Sequence, residues 1–376
     1  MNIVVTGWVA PFPTPAYFWH SMGFLLGFRD LGHEVWFLED SGDHPWGWDI
    51  ANDRPDPECR TGADVLDRQL RALGLGDRWT FRHIPSGRHH GMGADQVADV
   101  LADADVLVNV SLMTPMRGEY LQVPNRLAID TDPVFTQVRI ANGDPTLAQV
   151  PGTHTRLFTF GRPPLPGQLH EWLPTRQAVS LRHWEVPPPP DRTCFSTITT
   201  WQAYEPVVWE GRRYAAKDVS WEEYLDLPAK VRHPLVVAMG GRGAKEGTAT
   251  LSARGWHVRT GTAVSTSERA YRAFIEGSTG ELSLAKHGYV SARSGWFSER
   301  TCAYLAMGRP AVVQDTGWGE WLPSGEGLLP FSTPSEAVAA LEEVASDPHR
   351  HASAARRIAE EHFSAPSVCA DLLRRL

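Results

Sequence analysis

Two short stretches carry the side chains best suited to chemistry. One is Asp315-Thr316-Gly317-Trp318-Gly319-Glu320, two carboxylates set around a glycine turn. The other is Asp130-Thr131-Asp132-Pro133. Two carboxylates two residues apart can grip a metal, and either one can act as a general base or hold a hydroxyl group. Equally, one of them can cap the helix that Pro133 is suited to start. Two histidines add proton-transfer candidates. His20 stands in the apolar stretch Tyr17 to Met22, which suits a core histidine, and His154 stands just ahead of a strand. His89-His90 lacks acidic neighbours at ligand spacing, and no metal site is expected.

The elements that position these residues alternate. Apolar runs predict strands at 2–7, 35–38, 79–84, 105–110, 125–129 and 155–160, with helices at 17–31, 62–73 and 94–103 between them. A second series predicts strands at 195–200, 235–239, 257–260, 311–313 and near Leu328, with helices at 219–227, 248–254, 266–277 and 297–307. Gly308 and Pro310 stop the last of these helices. From Ser335 onward the chain reads as helical. Strands separated by helices imply parallel, doubly wound sheets. Both acidic stretches then follow the carboxyl end of a strand, where ligands of open α/β sheets bind. Pro187 to Pro190 forms a stiff connector. The expected division is 1–186, the linker 187–190, a second domain at 191–350 and terminal helices at 351–376, the last packing back on the first domain.

Composition narrows the class. The 376 residues suffice for two domains with separate cores. Thirty-six basic against forty-four acidic side chains, net −8, argue against binding nucleic acid or anionic membrane through the overall field. No apolar run reaches the roughly 20 residues of a membrane span, and Met1 to Gly7 lacks the charged region of a signal peptide. The four cysteines, at 59, 194, 302 and 369, show no paired spacing and read as reduced thiols of a cytoplasmic protein. The first loop, Trp8 to Pro15, is proline-stiffened and contains no G-x-G-x-x-G, which disfavours a nicotinamide dinucleotide. Fifteen tryptophans are unusual, and indole faces stack on sugars and flat aglycones as well as on each other.

The run AMGRPAVVQDTGWGE from Ala306 to Glu320, with Ser298-Glu299-Arg300 and Tyr304-Leu305-Ala306 ahead of it, resembles the donor-binding segment of GT-B glycosyltransferases. It is most similar to the group-1 bacterial type allied to the spore-maturation glycosyltransferases. The opening strand, the loop and Gly32-His33-Glu34-Val35 agree with how such chains begin. The resemblance implies two Rossmann-like domains facing a central cleft, and transfer of a sugar from a nucleoside diphosphate sugar to a hydroxyl-bearing acceptor, a small molecule or glycan. The sugar nucleotide is a co-substrate, and no further cofactor is implied. A diphosphate needs positive charge, and the basic residues at plausible loop positions are Lys217, Arg242, Lys245, Lys286 and Arg293, with donor contacts also expected on Ser294, Gly295, Glu299, Asp315, Thr316, Gly317 and Glu320. Lys217 follows the first strand of the second series much as the family's phosphate-pairing lysine does. Acceptor contacts fall on Trp8, Asp130 and His154, with Asp132 the first candidate for a functional acid and His20 the second. One departure stands out. The two glutamates that large retaining families place eight residues apart align here with Gly295 and Ala303, leaving Glu299, one turn before Ala303, to take a hydroxyl contact or to cap the helix. A nucleotide-sugar epimerase on the same fold, or a non-catalytic sugar-nucleotide-binding protein, are the competing readings.

Overall fold

The computed structural model describes residues 1–376 apart from Asp43, Pro45 and Tyr204. The first half opens with strand β1 (Asn2–Thr6), helix α1 (Pro15–Asp30) and strand β2 (Glu34–Asp40). A hairpin of β3 (Gly47–Asp49) and β4 (Arg54–Asp56) follows, then α2 (Arg60–Ala72), β5 (Trp79–His83), β6 (Arg88–Gly91), α3 (Ala94–Ala102), β7 (Val106–Val110) and β8 (Asn125–Asp130). Helices α4 (Phe135–Ala141) and α5 (Val150–Thr153) lead to β9 (Arg156–Thr159) and β10 (Leu173–Pro174). The sheet runs in the order β10-β9-β8-β7-β1-β2-β5-β6, parallel except that β6 runs antiparallel to β5.

The second half repeats the plan. It contains β11 (Phe195–Thr200), a hairpin of β12 (Val207–Trp209) and β13 (Arg212–Tyr214), α6 (Lys217–Trp221), β14 (Leu235–Gly240), α7 (Ala244–Ser252) and β15 (His257–Thr260). Next come α8 (Gly261–Ser265), α9 (Glu268–Glu276), β16 (Gly280–Ser283), α10 (His287–Ser291), α11 (Glu299–Ala306), β17 (Ala311–Gln314) and β18 (Leu328–Phe331). Three helices close the chain, α12 (Pro334–Ser346), α13 (Pro348–Phe363) and α14 (Ala365–Arg374). This sheet is parallel throughout, in the order β15-β14-β11-β16-β17-β18. In both sheets the strand order reverses beside the first strand, between β1 and β7 and between β11 and β16. Each reversal opens a crevice at the carboxyl ends of the strands. The molecule is thus two doubly wound Rossmann-like α/β domains facing one another.

Helix α1 shows how composition sets position. Thr14 caps it by accepting from the Tyr17 amide at 3.3 Å, and Pro15 occupies its first turn. It is apolar almost all round because it is covered on several sides, by its own sheet and by α14. Close approach there requires glycine. A Cβ on Gly27 would lie 2.6 Å from Cys369 Sγ and 2.7 Å from the Ala365 carbonyl oxygen, and one on Gly23 would lie 1.8 Å from the Ala178 carbonyl oxygen. The segment that leaves the first sheet and the segment that returns to it lie side by side, Val179 N–H donating to Phe363 O at 2.8 Å and Ala365 N–H to Val179 O at 3.0 Å.

Several elements escape a reading by apolar pattern. Strand β16, with sequence GELS, is fully buried yet half polar, and both short hairpins are too brief to show periodicity. The helix expected over 219–227 is α6 followed by separate turns of 3₁₀ helix at Glu222–Tyr224 and Leu227–Ala229.

Candidate active site

Strand β8 delivers Asp130 and Asp132, and the structure gives them different work. Asp130 is buried and accepts from Gln137 Nε2 at 2.8 Å, Thr159 Oγ1 at 2.7 Å and the Asp132 amide at 2.9 Å. Gln137 Oε1 in turn accepts from the Val134 amide at 2.7 Å, so Asp130 organises the entrance to α4 instead of facing a ligand. Burial raises its pKa against the pull of these donors. Asp132, by contrast, reaches the other domain. Its Oδ1 accepts from Lys286 Nζ and from the Tyr289 hydroxyl, and Lys286 Nζ lies 3.1 Å from Tyr289 Oη. Beside them Trp296 Nε1 donates to the Thr131 carbonyl at 3.0 Å, with the Trp296 ring stacked on Tyr289 at 4.3 Å.

His20 lies at the switch point of the first sheet. It is half-buried, its Nε2 3.3 Å from Ser111 Oγ, which accepts from Thr131 Oγ1 at 3.0 Å. Ser111 and Leu112, just past β7, both hold left-handed backbone, φ 60° and 58°; such conformations in residues with side chains are uncommon and concentrate at functional sites. The His20 ring is held edge-on between Phe24 and Phe160, centroids 6.1 and 5.9 Å away. Burial lowers its pKa, opposed by the charges of Glu299 and Asp132. It lines a narrow interdomain cavity together with Trp19, Gln177, Tyr271, Glu299 and Ala303. Of the apolar neighbours that suggested a core histidine, Trp19 lines this cavity, whereas Phe18 and Met22 are buried in the core. Glu299, first residue of α11, faces the same space as Ala303, where the family pattern puts its second glutamate.

The second domain contributes cations. Lys217 opens α6 and is only 7% exposed. Burial pushes its pKa well down, and the charges of Arg300 and Lys286 add to the effect. Among the described residues its ammonium has no hydrogen-bond or ion-pair partner. Arg300 is buried too, but fully engaged. Its Nε meets Glu281 Oε1 of β16, Nη1 donates to Ile198 O at 2.6 Å, and Nη2 to Ser283 Oγ at 2.7 Å. This pair explains how β16 tolerates an acid in its centre. Sequence reasoning missed Arg300, Glu281 and Tyr289; a lone acid in a short buried strand was the available signal.

Of the remaining candidates, Ser294, Gly295 and Thr316 adjoin the cluster through Trp296 and Tyr289, whereas Arg242, His154 and Trp8 lie apart from it. Arg242 is exposed and paired with Glu205 at 2.6 Å. Arg293 is exposed and pairs with Asp315 at 3.2 Å and Glu320 at 3.5 Å. Asp315 also accepts from the Gly317 amide at 2.7 Å, closing the turn that Gly317, φ 89°, begins. Ser294, Gly295 and Thr316 staple this turn to the start of α11. The Gly295 amide donates to Thr316 O at 2.7 Å, Thr316 Oγ1 donates to Trp296 O at 2.6 Å, and Ser294 Oγ accepts from the Trp296 amide at 3.4 Å. Ser294 and Thr316 are buried, so their side chains build the loop. His154 is a core residue, Nε2 3.2 Å from Asn109 Nδ2 and Nδ1 3.0 Å from Val150 O, and burial drives its pKa down to about 4. Trp8 packs edge-on against His44 at 5.6 Å. Asp130, His154 and Trp8 are thus not gathered around a common acceptor pocket. A larger cavity, ≈ 570 Å³, lies between 165–168 and the β12–β13 hairpin, and its lining shares no residue with the cluster. Among the described residues no group of three potential ligands could hold a metal, and no helix is long and apolar enough to cross a membrane.

No family model and no curated protein matches the sequence. Solved structures do match along the whole chain. An alpha-glucosyltransferase in complex with UDP and DNA aligns with a TM-score of 0.60 at 10% identity, covering 99% of this chain and 98% of its own. Sucrose-phosphate synthase from Thermosynechococcus elongatus gives 0.55 at 11%, covering 100% and 98%. AviGT4, a glycosyltransferase involved in avilamycin A biosynthesis, gives 0.53 at 12%, covering 99% and 96%. At such identities the likeness is one of fold, and that fold is GT-B.

Proposed function

We propose that this protein is a glycosyltransferase that takes a sugar from a nucleoside diphosphate donor to a hydroxyl acceptor. The observation that carries the reading is Lys217, a buried lysine whose ammonium has no counter-ion among the described residues, set just past the end of β11 and within electrostatic range of Lys286, which holds Asp132, and of Glu299, which shares a cavity with His20. A lysine so placed is costly until an anion arrives, and a departing diphosphate is an anion whose charge grows as the bond to the sugar breaks. Sucrose-phosphate synthase and HepE, the latter solved with UDP and with UDP plus glucose, share the fold, which supports the same donor class here. Subgroup membership with the spore-maturation type remains part of the proposal.

In this reading Glu299 and the turn at Asp315 to Glu320 bear on ribose and sugar hydroxyls, and the first domain holds the acceptor. His20 becomes the first candidate for proton acceptor. Burial keeps its imidazole neutral, its ring is fixed by two phenylalanines, and it opens onto the cleft. Asp132, already engaged by Lys286 and Tyr289, positions the two domains. The test is sugar transfer from nucleoside diphosphate sugars, with and without candidate acceptors. His20→Ala should lower kcat by ~10²-fold or more, while Asp132→Asn should chiefly raise KM. Equal, small effects of both would refute the assignment of the base. Donor epimerisation without transfer, or binding without turnover, would refute the proposed reaction.

A further inference from the structure

Arg162, just past β9 in the first domain, and Arg176, just past β10, converge on one indole of the second domain. Their guanidinium carbons lie 4.2 and 5.5 Å from the Trp321 ring centre. Among the described residues neither guanidinium has an ion-pair or hydrogen-bond partner. Asp371 is close enough to act on Arg176, but its carboxylate is taken by Arg375 and Arg374. His362 also lies in range of Arg176, and Arg375 adds a third positive charge beside Arg162. Burial, then the charges of Arg176 and Arg375, bring the Arg162 pKa down to about 10. Two half-buried like charges facing one ring repel each other, and cation–π attraction offsets only part of that cost. The clasp is also held ready. Trp321 Nε1 donates to Gly295 O at 2.9 Å, the Arg162 amide donates to Ser294 O at 2.7 Å, and a Cβ on Gly295 would come within 2.4 Å of Arg162 Cγ.

We propose that Arg162 and Arg176, with Trp321 between the domains, form an oxyanion site that takes a phosphate or carboxylate group of the acceptor. Planar guanidinium forks match both groups. Phe160, two residues before Arg162, touches His20, so the site flanks the cleft. Anion binding follows from the geometry alone, whereas its use for the acceptor rests on the transferase reading.

The experiment is calorimetric titration of the whole protein with inorganic phosphate at fixed ionic strength, repeated with a dicarboxylate to separate the two sources. R162Q/R176Q should weaken phosphate binding at least tenfold, with a melting temperature in the absence of anion that is unchanged or higher because the repulsion is gone. R176Q alone serves if the double variant folds poorly. K217M should retain this binding. Equal phosphate affinity in wild type and R162Q/R176Q, or complete loss in K217M, would overturn the proposal. A lower anion-free melting temperature in R176Q would assign the arginines to structure instead. If the site binds phosphate while no transfer is detected, the transferase reading fails and the anion site stands.

Discussion

Replacing Lys217 by Met separates binding from stability, because the two should move in opposite directions. Lys217 is a buried residue whose ammonium has no partner among the described residues, and removing such a group relieves about 1–3 kcal/mol of desolvation cost. At about 2.1 cal/mol/K per residue, the 376 residues carry an unfolding entropy of ~0.8 kcal/mol/K, so the gain is about 1–4 °C in Tm. The donor loses a charge contact worth about 4 kcal/mol at 4 Å and an effective dielectric of ~20. Even after the desolvation saved, about 1–3 kcal/mol remains, so UDP should bind roughly 5- to 150-fold more weakly. The pH dependence gives a second check. Burial lowers the lysine's pKa below 10.5, so between its folded pKa and 10.5 the native state holds fewer protons than the unfolded chain. Stability of the wild type should therefore rise with pH across that window, and K217M should lack this slope. Melting curves with and without UDP, with calorimetry, measure all three. A K217M protein that melts lower and binds UDP unchanged would refute the reasoning.

Two further expectations concern the scaffold. Arg300→Met strands Glu281, which is 0% exposed, and should cost about 3–5 kcal/mol in denaturant unfolding, most of it recovered by adding Glu281→Gln. Glu39, buried and accepting from the Val9 and Ala10 amides, has its pKa raised from 4.5 to about 7, so the native state holds the proton more tightly. Its contribution is present at low pH and is lost as pH rises from about 4.5 through about 7, about 3 kcal/mol at most at 1.36 kcal/mol per unit. Urea midpoints at pH 5 and 8 should differ less in Glu39→Gln than in wild type.

Periodicity located most strands of the two sheets, though not the edge strands β6 and β10, because parallel strands buried on both faces leave apolar runs. It failed at β16, where a buried ion pair replaces apolar contacts, and at the hairpins, which are too short. The helix Glu299–Ala306 and the strand Ala311–Gln314 were legible from Gly308 and Pro310. The site itself was less so. Lys286 and Asp132 are 154 residues apart and meet only because the domains face each other, as do Arg162 and Trp321. His20 looked like a core residue because its sequence neighbours Phe18 and Met22 are core residues, while its own ring borders the cavity. Asp130 and His154 are polar residues at strand ends like Asp132, and only their partners show that they serve the fold.

The seat of α14 on α1 has a consequence for synthesis. Cys369 Sγ meets the Phe24 carbonyl across 345 residues of sequence. At roughly 5–20 residues per second, that face of α1 stays uncovered for roughly 20–70 s after it leaves the ribosome. The first domain thus waits for the second to be made before one of its own helices is covered. Gly23 and Gly27 keep part of the waiting helix free of side chains, which limits the apolar surface it offers to other nascent chains.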